Sequence, residues 1–297
     1  MAALRSQIKA LSDERGDPDV SGWRRLEAQL GYDVDEAPVT LMDSLFALQR
    51  EYGIGAVAEA AMATQSAEAA SVLEAEIKAA NDHHWQCDLQ RTAVLVENAK
   101  VGAGEPPWRL AETAAAAVLK AVGHVGGPLS RSTLADLLNV RQSALRSVQS
   151  AGSRELAYGL RLNTGRRRGE IVAPASRWSA DRRFEFARAL GDAIWSANER
   201  LGPLTRVKSE RQKFQRAFAQ SLLCPYEALV GYIGEDVSDG AIAAAARHFL
   251  VSERVIRSVL VNKGALNRHR LFGLARVRPA DELEGAAVEF DEIMEAA

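Results

Sequence analysis

Few side chains in this 297-residue sequence are of the types that do metal or covalent chemistry, and their spacing decides what they can do. The histidines are His83, His84, His124, His248 and His269. A helical metal site needs two of them four residues apart, so that both rings face one ion. No pair has that spacing, and the adjacent His83 and His84 point to different faces of any helix. The two cysteines, Cys87 and Cys224, are too far apart to suggest a disulfide framework or a ligand set, and both read as small buried residues. Gly123 to Gly127 reads Gly-His-Val-Gly-Gly, which fits neither a Walker loop nor a dinucleotide fingerprint. No nucleotide or other cofactor is expected.

Two stretches are more informative. The first is Arg182-Arg-Phe-Glu-Phe-Ala-Arg-Ala-Leu-Gly-Asp-Ala-Ile-Trp195, and the second is Gln212-Lys-Phe-Gln-Arg-Ala-Phe-Ala-Gln-Ser-Leu-Leu-Cys-Pro225. Together they resemble the ImmA/IrrE-type zinc metallopeptidases. That family carries Arg-Arg-Phe-x-x-Ala-His-Glu-Leu-Gly-His on its active-site helix. A later helix bears a glutamate ligand and ends in Phe-Ala-x-x-Leu-Leu-x-Pro. The frame matches from Arg182 to Gly191, and again at Phe218-Ala219, Leu222-Leu223 and Pro225. Pro107-Trp108 and 128–140 look like the helical lead-in of the family, so the likeness spans about Trp108 to Leu266.

The zinc chemistry itself is absent from the matching positions. Where the family has histidine, glutamate and histidine, this chain has Arg188, Ala189 and Asp192, and the third-ligand position holds Gln212. A guanidinium brings permanent positive charge to where a dication would sit, and alanine cannot take a proton from water. Glu185 and Glu210 are close in sequence but not at ligand positions. Arg188 and Asp192 are four apart on one helix, so a direct ion pair across the vestigial site is the expected replacement, with Gln212 bonded to either group.

Ala241–Lys263 has the outline of a helix-turn-helix. A small-residue helix is followed by a tight turn, and Ser252 then opens a second helix. Val255, Ile256, Val259 and Leu260 would face inward, leaving Arg254, Arg257, Ser258 and Lys263 free to meet duplex DNA. Arg166-Arg-Arg168 is a second cationic spot.

Several elements must position these residues. The first hundred residues read as helical throughout, with Ala-rich Ile54–Ala80 at helical spacing and turns at Asp17–Asp19 and Asp35–Pro38. Residues 101–107 read as a linker. Helices are expected at Trp108–Val122, Leu129–Val140 and Arg141–Ser150. One hairpin is expected, with strands Glu155–Leu162 and Gly169–Ala173. Ser179 would cap a helix over Ala180–Asn198, and a further helix runs over Val207–Leu223, stopping before Pro225. Phe214, Ala217, Phe218 and Leu222 make its buried stripe.

A 47% hydrophobic fraction and 26% charged residues suit a folded core and exclude disorder for most of the chain. No window approaches 18 uninterrupted apolar residues, and the start lacks a secretory pattern, so a cytoplasmic bacterial protein is expected. The net charge of −2 is segregated. Residues 1–100 carry 9 Lys/Arg against 17 Asp/Glu, residues 101–280 carry 28 against 15, and residues 281–297 carry none against 7. A basic middle between acidic ends suggests a surface for a polyanion or an acidic partner.

The expected fold is α+β and predominantly α-helical. A helical region at 1–100 precedes a degenerate ImmA/IrrE-like zincin domain at 108–280 with a small sheet, and 281–297 forms an acidic tail. The expected function is that of a catalytically inactive regulatory pseudoenzyme that binds a partner protein or duplex DNA. The family resemblance implies a setting in stress-response or mobile-element control, beside helix-turn-helix repressors. An active metallopeptidase with a non-standard metal site is one alternative, and a DNA-binding transcription regulator is another.

Overall fold

The computed structural model describes residues 16–271, with 83, 100–103, 147–155 and 166–168 excepted, together with residues 5 and 12. His83, Arg166–Arg168, residues 101–103 of the expected linker and the acidic tail lie outside the described residues. No helix among the described residues is long and apolar enough to cross a membrane.

The chain opens with four helices: α1 (Pro18–Leu30), α2 (Val39–Tyr52), α3 (Ile54–Thr64) and α4 (Ala69–Asp82). Asp17 caps α1 by accepting from the Asp19 and Val20 amides, and Pro18 occupies the first turn, where its missing N–H costs nothing. The Ala-rich run Ile54–Ala80 is two helices rather than one, broken at Gln65 in the left-handed region (φ 47°). Strand β1 (Trp85–Cys87) follows, within the hundred residues expected to be helical throughout. Next come α5 (Leu89–Ala93), a 3-10 turn (Val94–Ala99), α6 (Pro107–Ala121), α7 (Arg131–Leu138) and α8 (Gln142–Arg146).

The expected hairpin is present as β2 (Gly159–Asn163) and β3 (Glu170–Ala173), paired antiparallel. Helix α9 (Ser179–Trp195) begins one residue before the predicted start, with Trp178 rather than Ser179 at its cap and no side-chain capping bond. An unforeseen strand, β4 (Leu201–Leu204), precedes α10 (Glu210–Leu223), which Ser209 caps. The chain continues through α11 (Tyr226–Ile233), α12 (Asp239–His248), α13 (Glu253–Asn262) and a 3-10 turn (Arg268–Leu271).

The four strands form one antiparallel sheet in the order β1-β3-β2-β4. Both faces are covered. Leu160, Leu162, Ile171, Ala173 and Leu201 pack with α1–α4 in one core. Val172, Leu204 and Cys87 pack with α5–α10 in the other. Successive strand residues point to opposite faces. Arg161, Glu170 and Gly202 therefore turn toward α9, while Leu160, Leu162, Ile171 and Leu201 turn away. The chain is α+β with a predominance of helix. The division expected at residue 100 does not separate its contacts, since β1 completes the sheet and α1–α4 cover it.

Helix α9 runs through the middle of the molecule and is buried almost continuously from Arg182 to Ile194. It meets α10 at Gly191, where an added Cβ would sit 2.9 Å from the Phe218 ring. The glycine is what lets these two helices approach so closely.

Candidate functional site

The site is a buried polar network where α9, α10, the outer edge of β4 and α3 converge. Asp192 is fully buried and lies at its centre. Its Oδ2 accepts from Arg161 Nε at 2.7 Å and Arg211 Nη2 at 2.9 Å, and its Oδ1 accepts from Arg211 Nε at 2.6 Å and Gln215 Nε2 at 2.6 Å. Burial would push this carboxyl upward, but the Arg211 and Arg161 guanidinium groups hold it at about 2. Arg161 reaches further to Glu170 and to the carbonyls of Ser196 and Glu199, at 3.1 and 3.2 Å. Arg211 also donates to Glu199 and, at 2.9 Å, to Leu201 O.

Gly202 makes room for this arrangement. It pairs with Arg161 across β2 and β4, and a Cβ built on it would lie 1.9 Å from Asp192 Oδ2. No other residue leaves the carboxylate in place.

Arg188 does not pair with Asp192, contrary to the expectation. Its Nη2 donates to Gln212 Oε1 at 2.6 Å, Thr205 O at 2.7 Å and Gln215 Oε1 at 3.0 Å, and its Nη1 donates to Leu204 O at 3.0 Å. The reason is direction: Asp192 is already held by two arginines from β2 and α10, and Arg188 points along β4 instead. A guanidinium enclosed by neutral oxygens feels its burial, which pushes Arg188 down to about 10. Gln212 completes the ring, donating through Nε2 to Pro203 O at 2.6 Å and to Glu59 Oε2 at 2.8 Å. Glu59 comes from α3, more than a hundred residues earlier, and also accepts from Ser209. Burial pushes its pKa up.

These bonds close the exposed edge of the sheet. Asn163 N donates to Arg200 O across the β2–β4 pair, so the alternation of an antiparallel ladder turns the carbonyls of Leu201, Pro203 and Thr205 away from β2. Side chains of α9 and α10 bond all three. Pro203 stands where its missing N–H would also have faced outward.

The four positions singled out by the resemblance, Arg188, Ala189, Asp192 and Gln212, do not fit a zinc ion. Arg188 and Gln212 are bonded to each other, Ala189 offers no donor, and Asp192 is saturated by two arginines and an amide. Glu185, on the same helix, accepts from Ser176 N at 3.1 Å rather than turning into the network, and burial pushes it up to about 7. Among the described residues, no group of three His, Cys, Asp or Glu side chains is placed to hold a metal.

The helix pair α12–α13 forms as expected, but its candidate contacts differ in availability. Arg254 is exposed and Ser258 is half-buried. Arg257 is buried and paired with Asp239 at 3.2 Å, so it does not face outward as the sequence suggested. Its position on the inner face of α13 places it over the start of α12. Lys263 is exposed but bonded to Glu112 at 2.9 Å. Cys87 and Cys224 are buried, as their reading as small apolar residues requires.

Arg161, Arg211, Gln215 and Glu59 were not visible as members of the site. A polar residue between Leu160 and Leu162 reads as the solvent side of a strand, and nothing local says that a helix covers that side. Glu59 had one signal, as the single charge in the Ala-rich α3. The chain matches no family model, no curated protein and no solved structure, so its site rests on this geometry.

Proposed function

We propose that this chain is a non-catalytic protein on an ImmA/IrrE-like peptidase scaffold, and that it regulates by binding a partner protein or DNA. The observation that carries the reading is the bond between Arg188 and Gln212. At two positions where such a peptidase would hold metal ligands, Arg188 donates to Gln212 instead, and the general-base position is Ala189. A second support is the covered edge of β4. An extended peptide added there as a strand would have to displace Arg211, Gln212 and Arg188 from the carbonyls they bond. The resemblance supplies the setting, a cytoplasmic regulator in stress-response or mobile-element control.

Elemental analysis of the purified protein, with digestion of a mixed peptide library, tests the reading. No stoichiometric zinc and no cleavage are expected. About one tightly bound zinc per chain, lost on substituting Asp192 and Gln212, would overturn it in favour of a peptidase with an unusual metal set.

A further inference from the structure

The loop between β4 and α10 is fastened from beneath and bare above. Arg188 Nη2 donates to Thr205 O at 2.7 Å, and Val207 N donates to Thr205 Oγ1 at 3.3 Å. Arg216 Nη1 donates to Val207 O at 3.1 Å, and Ser209 Oγ accepts from Gln212 N at 3.1 Å. A loop held at four points presents its outward side chains with little conformational entropy left to lose on binding. Those side chains are Arg206 and Lys208, and Lys213 stands beside them in the first turn of α10; all three are exposed. Arg254, exposed in the first turn of α13, and Arg206 both lie within electrostatic reach of Asp181 in the first turn of α9. Among the described residues none of the four is in a direct ion pair, and Asp181 is the carboxylate that Arg206 and Arg254 share at longer range.

A basic face can serve an acidic protein or a nucleic acid. Protein interfaces are built around an apolar centre, and neither the loop 205–209 nor α13 exposes a large apolar side chain. Cations on two elements without such a centre suit a phosphate backbone. We propose that Arg206, Lys208, Lys213 and Arg254 form a contact surface for the phosphates of duplex DNA, held in shape by the buried network below. The proposal rests on the reading of the chain as a binding protein. It moves the DNA contact from α13 alone to loop and helix together, because Arg257 and Lys263 are already engaged by Asp239 and Glu112.

Fluorescence anisotropy of a labelled duplex of about 25 base pairs, titrated with the full chain between about 50 and 200 mM salt, tests this. Affinity is expected to fall linearly on a log–log plot against salt. Alanine at each of the four positions weakens binding to every duplex alike and reduces the slope by about one. Lys213→Glu weakens it further, and Lys78→Ala, exposed on α4, leaves it unchanged. All of these positions are exposed, so unchanged melting temperatures are expected. No binding at about 50 mM salt would overturn the proposal, as would four variants that bind like the parent. Poly-glutamate competing as well as the duplex would also overturn it and assign the face to an acidic protein. A chain that binds no duplex and carries no zinc would keep the reading as a binding protein and lose this surface alone.

Discussion

Removing the Asp192 carboxylate would leave two guanidinium groups, Arg161 and Arg211, buried beside each other without a shared anion. Breaking a buried ion pair from one side costs more than the pair itself contributes, so Asp192→Ala is expected to lose about 3–5 kcal/mol in thermal melts. Adding Arg211→Met should recover part of that loss, and adding Arg188→Met should not, because Arg188 is bonded elsewhere. The sign with pH follows from the depressed carboxyl. Its contribution is complete above the unfolded value near 4 and is lost as pH falls toward 2, so the acid limb of the stability curve should flatten in the variant. Gly202→Ala attacks the same centre from the strand. A methyl 1.9 Å from Asp192 Oδ2 forces β4 and α9 apart, and a loss of about 2–4 kcal/mol in urea unfolding is expected. An unchanged midpoint would mean that the carboxylate and strand can separate freely.

At the scale of elements, the sequence carries the local signals and hides the pairings. Helices α9 and α10 were legible because their apolar residues recur at helical spacing and because Pro225 ends the second. The β2–β3 hairpin was legible because its two apolar runs flank a turn rich in Gly and Arg. Strands β1 and β4 were not. Trp85–Cys87 has three residues and follows a helix directly, and Leu201–Leu204 contains Gly and Pro, which weaken a strand reading. Both are strands because a neighbour pairs with them, and β4 tolerates Pro203 because it lies at an edge. The helix pair α12–α13 was legible as helices, while the inward turn of Arg257 was not, since spacing cannot say that Asp239 waits beneath it. Arg188, Ala189, Asp192 and Gln212 were singled out by the resemblance, and their partners come from α10, from strands and from α3, which no spacing argument reaches.

Across the whole molecule, the sheet joins two helical layers, and Glu59 joins them a second time. It carries Gln212 Nε2 and Ser209 Oγ from across the sheet edge, so Glu59→Ala should orphan both and cost about 1–3 kcal/mol. Burial raises the pKa of this carboxyl in the fold. Its neutral form is therefore favoured by folding, and that contribution is present at low pH and lost as pH rises through the raised value. Glu59→Gln should remove the loss, making the variant at least as stable as the parent at pH 8 and giving it a flatter profile down to pH 5. Both variants and the parent should melt in one transition, since neither layer closes its core without the other. Two separated transitions in calorimetry would contradict this. The charge pattern also reads differently at this scale. Seven arginines of the basic middle, Arg131, Arg161, Arg182, Arg183, Arg188, Arg211 and Arg257, are buried, so much of the apparent polyanion surface is internal scaffolding.

The Gly202–Asp192 contact also has a consequence for later substitution. The way from this centre to a metal site is blocked one substitution at a time. A histidine at 192 would place a ring where a glycine now barely clears a carboxylate, and would strand two arginines before any ligand partner exists to repay the loss. A penalty of about 3–5 kcal/mol is a large share of the roughly 5–15 kcal/mol that holds a domain together. Each single substitution therefore produces a weaker protein that still holds no metal, and selection has no intermediate to keep. Such a centre behaves as a ratchet: any single step toward a metal ligand meets the Gly202 contact and the two arginines before it meets a second ligand.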